Sequence, residues 1–135
     1  MVSNLKKAVD FYCKAFGFEL MGEVVMAGKV AIHAVLKHAD SAIMLGGPTP
    51  DGSHKPPNYL KRKAQAFALY VYVEDVDAHH KRARRFKGIE ISQPQDTFWG
   101  DRVYNVVDRA GHRWAFASRK SMPSREEMAA AMKEI

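Results

Sequence analysis

The chain has 135 residues, 47% apolar and 27% charged, with a formal charge of +6 and one cysteine. That length and balance describe a single globular domain with a core of its own. No apolar run reaches the roughly 18 residues of a membrane span, and the lone Cys13 excludes an internal disulfide, so a cytoplasmic protein without a membrane partner is expected.

Asn4 is placed to cap a helix whose apolar residues, Leu5, Ala8, Val9, Tyr12 and Phe16, follow a 3.6-residue period up to Gly17. Strands are expected from Phe18 to Ala27, Val30 to Leu36 and Ala42 to Leu45, with turns at Gly28-Lys29 and at His38 to Ser41. In the second of these strands Ile32, Ala34 and Leu36 share one face, which puts His33 on the other. Residues 46–65 carry four prolines and read as a linker or lid. A strand follows from Ala66 to Val73, with Tyr70 and Tyr72 on one side and Leu69, Val71 and Val73 on the other.

A second helix is expected from a cap at Asp75 or Asp77 to Gly88. Basic residues cluster in 79–87 and again in 55–63. No nucleic-acid motif accompanies them and no aromatic residues are interleaved with the Arg-rich run, so they read as solvated faces and nucleic acid is not the expected partner. Phe98 to Ser118 reads as two strands joined by Asp108-Arg109-Ala110-Gly111. In its last strand Trp114 and Phe116 alternate with Arg113, Ala115 and Ala117, giving one bulky face and one nearly empty face. Ser124 and Glu127 form a capping-box pattern for a final helix, expected to dock on the domain.

The halves repeat. Asn4 aligns with Asp75, Gly17 with Gly88, and Met44-Leu45 with Ala115-Phe116, all at an offset of 71 residues. The repeating unit is strand, helix and three strands. On this alignment the strand Ala66–Val73 has a counterpart of which only Met1 and Val2 remain. The first strand of the first unit is therefore expected to be missing, its gap covered by a second copy in a homodimer or by residues upstream.

KKAVDFYCKAFGFEL, YVYVEDVDA and the closing FWGDRVYNVVDRAGHRWAFAS together resemble the vicinal oxygen chelate superfamily, the glyoxalase and bleomycin-resistance proteins, and within it the PhnB-like branch. The resemblance implies an α+β fold of paired βαβββ modules, a curved mixed sheet around a cleft. On this reading module one spans 1–45, the linker 46–65, module two 66–120 and a C-terminal helix 121–135.

Enzymes of the superfamily hold a divalent metal with one His or Glu from each of four strands. Carried over, those positions fall on Ala115, Ala68 and Met44, with the fourth ahead of Met1. None of the three residues present ligates a hard cation, so no metal and no cofactor is expected. The reading that results is a small-molecule binding protein with an apolar, aromatic cleft and a cationic rim. His33, Met44, Ala68, Tyr70, Tyr72, Trp99, Arg102, Arg113 and Ala115 are its candidate ligand contacts, and the small molecule is not identified. Alternative readings are a metal-dependent glyoxalase-like lyase, isomerase or dioxygenase, and nucleic-acid binding through the Arg-rich helix, so no catalytic residue is assigned.

Overall fold

The computed structural model describes residues 1–47, 56 and 68–133. The expected linker and the start of the strand at Ala66 lie otherwise outside the described residues. So does the basic cluster at 55–63, apart from Pro56.

The chain opens with α1 (Leu5–Phe16), whose Asn4 cap accepts a hydrogen bond from Lys7 N–H and whose end is closed by Gly17 at φ 75°. Next come β1 (Glu19–Ala27), β2 (Val30–His38) and β3 (Ser41–Gly46), an antiparallel sheet in that order. The second module runs through β4 (Leu69–Tyr72), α2 (Val76–Ala83), β5 (Glu90–Ile91), β6 (Gln95–Asp96), β7 (Asp101–Val107) and β8 (Arg113–Arg119). Its sheet has the order β4-β8-β7-β5, with β4 parallel to β8 and β6 also paired to β7. The fold is thus α+β, with an antiparallel sheet from one module and a mixed sheet from the other.

One core joins the modules. Ala34, Leu36 and Leu45 from the first sheet and Tyr104, Val106, Trp114 and Phe116 from the second are buried in a single cluster with the apolar face of α1. Phe16 is its pin: its ring centroid lies 4.7 Å from that of Phe116 and 5.3 Å from that of Trp114. A buried carboxylate ties α1 to the β7–β8 turn. Asp108 Oδ2 accepts from Tyr12 Oη–H (2.5 Å) and Trp114 Nε1–H (2.8 Å), while Oδ1 accepts from the backbone N–H groups of Ala110 and His112.

The internal repeat extends to single hydrogen bonds. Asn4 caps onto Lys7 N–H and Asp75 onto Ala78 N–H, each pair related by 71 residues. Val2 N–H donates to Gly46 O at 3.0 Å, and its mate Val73 N–H donates to Ala117 O at 2.8 Å. Val73 directly follows β4, which lies along β8. The corresponding edge of β3 carries no strand among the described residues beyond the Val2 contact. The repeat breaks between β2 and β7. A five-residue connection at 108–112 replaces the two-residue turn at Ala39-Asp40, so Val35 pairs Met44 but Asn105, not Val106, pairs Ala115. That one-residue slip exchanges the faces of β7 relative to β2.

Two expectations need correction. The second helix ends at Ala83, not at Gly88. Phe86 N–H bonds back to Ala83 O, and the turn brings the Phe86 ring edge-on to Phe11 at 5.7 Å. The final helix α3 (Arg125–Met132) forms on its Ser124 cap but buries no residue, and Met132 stays 59% exposed. Met128 and Ala131 on its apolar side are only half-buried.

Candidate functional site

The face of the second sheet that points away from the helices is set by alternation along β7 and β8. Arg113, Ala115, Ala117 and Arg119 share it, and through the antiparallel register so do Val107, Asn105, Val103 and Asp101. β4 adds Tyr70 opposite Ala115 and Tyr72 opposite Ala117. Val103, Ala115 and Ala117 form a small buried apolar floor, which the rings of Tyr70 and Tyr72 flank, 5.6 Å apart and edge to face.

Asp101 organises this surface. Its side chain is fully buried, and Oδ2 accepts from Tyr70 Oη–H (2.6 Å), Tyr72 Oη–H (2.8 Å) and Trp99 Nε1–H (3.1 Å). Burial alone would raise its pKa, but those three donors and the charge of Arg119 outweigh it, and the carboxyl stays below its usual range. Tyr70 moves the other way: burial and its bond to the carboxylate push the phenol up to about 12. The backbone is fixed from the other side, since Asp101 N–H donates to Thr97 Oγ1 and Thr97 N–H to Asp101 O.

With their polar atoms turned onto Asp101, the aromatic side chains keep much of their surface in solvent: Tyr70 is 45%, Tyr72 46% and Trp99 41% exposed. Arg119 borders them. Its Nη2–H donates to Tyr72 Oη at 2.9 Å, its Cζ lies 5.3 Å from the Tyr72 ring centroid, and its Nε is 3.7 Å from Asp101 Oδ1. Among the described residues the arrangement is an open, pre-set aromatic face rather than an enclosed pocket.

The candidate residues from the sequence divide into groups. Tyr70, Tyr72, Trp99 and Ala115 come together on this face. Arg113 shares it but lies at the other end of β8, where it lines a hollow of about 350 Å³ with Ala68, Glu90, Ser92 and Asn105. Arg102 does not belong to it: its side chain points to the helix face and its Nε–H donates to both oxygens of Asp77, with Nη1–H on Asp96, pinning α2 to β7. His33 and Met44 sit on the other sheet, His33 opposite Val25 and Gly46, Met44 opposite Val35. The single cleft expected from the sequence is therefore spread over two sheets. Asp101 and Arg119 were missed as side chains of this surface. The available signal was the parity of β8, which puts Arg119 in phase with Ala115 and Ala117 once the strand is extended past Ser118.

The positions that the resemblance assigns to a metal do not fit one. Ala115 and Ala68 have no donor atom and Met44 offers only a thioether. No three His, Cys, Asp or Glu side chains cluster to hold a cation among the described residues, nor is any helix there long and apolar enough to cross a membrane.

Residues 1–116 match the family model described as Glyoxalase/Bleomycin resistance protein/Dioxygenase superfamily. An uncharacterized protein of Mycobacterium bovis, Mb0911c, is 30% identical over 98% of this chain and 88% of its own length. Among solved structures, TioX from Micromonospora sp. ML1 is similar at a TM-score of 0.65 and 28% identity, over 88% of this chain and 97% of that one. TnmS3, described as an antibiotic binding protein from Streptomyces sp. CB03234, shares the fold at a TM-score of 0.59 and 23% identity, over 89% of this chain and 93% of its own.

Proposed function

This chain belongs to the Glyoxalase/Bleomycin resistance protein/Dioxygenase superfamily, and we propose that within it the protein binds a planar, amphipathic small molecule without a metal, sequestering it rather than turning it over. The observation that carries this reading is the aromatic face held on Asp101. Three polar handles are consumed inside the protein, so what is offered to a ligand is ring surface over an apolar floor. Fixing those side chains in advance lowers the ordering cost of binding. The metal-dependent alternative has no donor set at the positions its chemistry requires. The fold also serves a protein described as antibiotic-binding, TnmS3, which supports the same class of activity here. The reading extends to the PhnB-like branch of the superfamily, which the WGDR and D-x-x-G-x-x-W elements resemble.

An open face needs a second wall, and we propose that a second copy of the chain supplies it. The first sheet carries a row of apolar residues across its strands, Met21, Val35 and Met44, with Met21 47% and Met44 73% exposed. A contiguous exposed apolar row of this kind suits contact with a second copy. Sedimentation at micromolar concentration is expected to show a dimer, reduced to monomer by Met44→Asp; a wild-type monomer would remove this part.

The binding reading is tested by titrating N-phenyl-1-naphthylamine, a neutral aromatic fluorophore with a flat naphthalene ring, in the presence of a chelator. Micromolar binding is expected to weaken about 5- to 30-fold in Tyr72→Ala, the loss of one ring contact worth ~1–2 kcal/mol. Binding only after addition of a divalent ion, or no effect of Tyr72→Ala, would defeat the reading.

A further inference from the structure

We infer that the ligand is an aromatic acid, its rings on Tyr70, Tyr72 and Trp99 and its anionic group on Arg119, an inference that rests on the binding reading above. Four observations lead there. Among the described residues Arg119 is the cation that adjoins the rings, whereas Arg113 lies six residues back along the same strand, ~20 Å away at the rise of an extended chain. A ligand lying across Tyr70 and Tyr72 therefore meets Arg119 first.

The guanidinium is also held in place. Arg119 Nη2–H donates to Tyr72 Oη, and Tyr72 Oη–H donates in turn to Asp101 Oδ2. This relay, together with the stacking of Cζ on the Tyr72 ring, orients a side chain that would otherwise wander in solvent. Orientation of this kind is what a planar guanidinium needs to meet a carboxylate or sulfonate with two parallel bonds.

Its donors are not used up. The Nε contact to Asp101 is 3.7 Å, an ion pair without a hydrogen bond, and Asp101 Oδ1 has no hydrogen-bond partner. Nη1 meets no acceptor among the described residues, and the side chain is 53% exposed. Asp101 does not cancel it as a docking point, because the carboxylate is buried beneath the rings while the guanidinium stands at their edge.

Finally, the neighbouring polar groups cannot take the role. The hydroxyls of Tyr70 and Tyr72 and the Trp99 indole N–H all face Asp101. Among the described residues, a hydrogen-bonding group on the ligand has Arg119 as its remaining charged donor at this end of the face. A flat ligand without an anion would use only the rings, and one bearing a cation would meet a fixed like charge.

The test compares two fluorophores that differ by one sulfonate, 8-anilinonaphthalene-1-sulfonate and N-phenyl-1-naphthylamine, and reads the ratio of their dissociation constants. In the wild-type protein the sulfonate is expected to bind about 10- to 100-fold more tightly, the span of a charge-assisted contact. Arg119→Gln is expected to bring that ratio close to one, and Arg119→Lys to restore part of it. Circular dichroism of each variant confirms that the fold is kept.

A wild-type ratio near one, or a ratio untouched by Arg119→Gln, overturns the inference while leaving the binding reading standing. So does a ratio that follows Arg113→Gln instead. Failure of the neutral probe to bind, or its indifference to Tyr72→Ala, is a different result: it overturns the binding reading and this inference with it.

Discussion

Replacing Asp108 with Ala removes the carboxylate that fastens α1 to the β7–β8 turn. Four hydrogen bonds converge on it, two from side chains of the core and two from backbone N–H groups of the turn. Tyr12 is 2% and Trp114 3% exposed, so neither recovers a water partner when the acceptor goes. A buried donor left without an acceptor costs about 1–3 kcal/mol. The two backbone groups sit in a turn with freedom to relax, so the total is set near 3–5 kcal/mol rather than four full penalties. Against a domain stability of about 5–15 kcal/mol, that is a large share.

Urea unfolding followed by circular dichroism measures it. With a slope of about 1–3 kcal/mol/M, the midpoint should fall by about 2 M at unchanged slope. Tyr12→Phe leaves the acceptor in place and should cost about 1–2 kcal/mol. The double variant should lose less than the sum, since both changes break the same bond. A loss below about 1 kcal/mol in Asp108→Ala, or strict additivity with Tyr12→Phe, would show that the carboxylate does not fasten the modules.

Stability should also depend on His79, which is held between Phe16 O (Nε2, 2.8 Å) and Tyr104 Oη (Nδ1) and whose pKa burial lowers to about 4 despite the opposing Phe16 bond. A folded pKa below the unfolded ~6.5 means the unfolded chain takes up the proton first, so stability is full above ~6.5 and is lost as pH falls toward 4. Melting temperatures across that window should fall less steeply in His79→Gln, and equal slopes would contradict the assignment. Gly100 has φ 95°, and a Cβ there would overlap the Ser121 carbonyl oxygen, so Gly100→Ala should cost more than 2 kcal/mol, combining a positive-φ penalty with a backbone collision. Gly28 has φ 61° with open space around it, and Gly28→Ala should cost only about 1 kcal/mol; similar melting temperatures for the two variants would count against the collision.

Where local chemistry decided structure, the sequence was readable. Asn4, Gly17, Asp75 and Ser124 cap their helices as their side chains and backbone freedom dictate. The alternation of Trp114 and Phe116 with Ala115 and Ala117 separated the core face of β8 from the open one. Tertiary demands escaped it. Phe86 reaching for Phe11 shortened α2, and the longer β7–β8 connection shifted β7 by one residue against the repeat. Arg102 looked like a rim residue because nothing local reveals Asp77 and Asp96 as its partners. Asp101 drew no notice in the sequence as part of this surface because the three donors that converge on it come from β4 and from the Trp99 turn, placed there only by folding.

Binding on the aromatic face around Asp101 is tested by locating a bound ligand. Backbone and side-chain chemical shifts of isotope-labelled protein, followed during titration with N-phenyl-1-naphthylamine, report where it binds. The largest changes are expected at Tyr70, Tyr72, Trp99, Ala115 and Ala117. The contradicting result is a set of changes confined to the groove between the start of α1 and the β7–β8 turn, at Lys7, Ala8, Phe11 and Arg109, with the aromatic face silent.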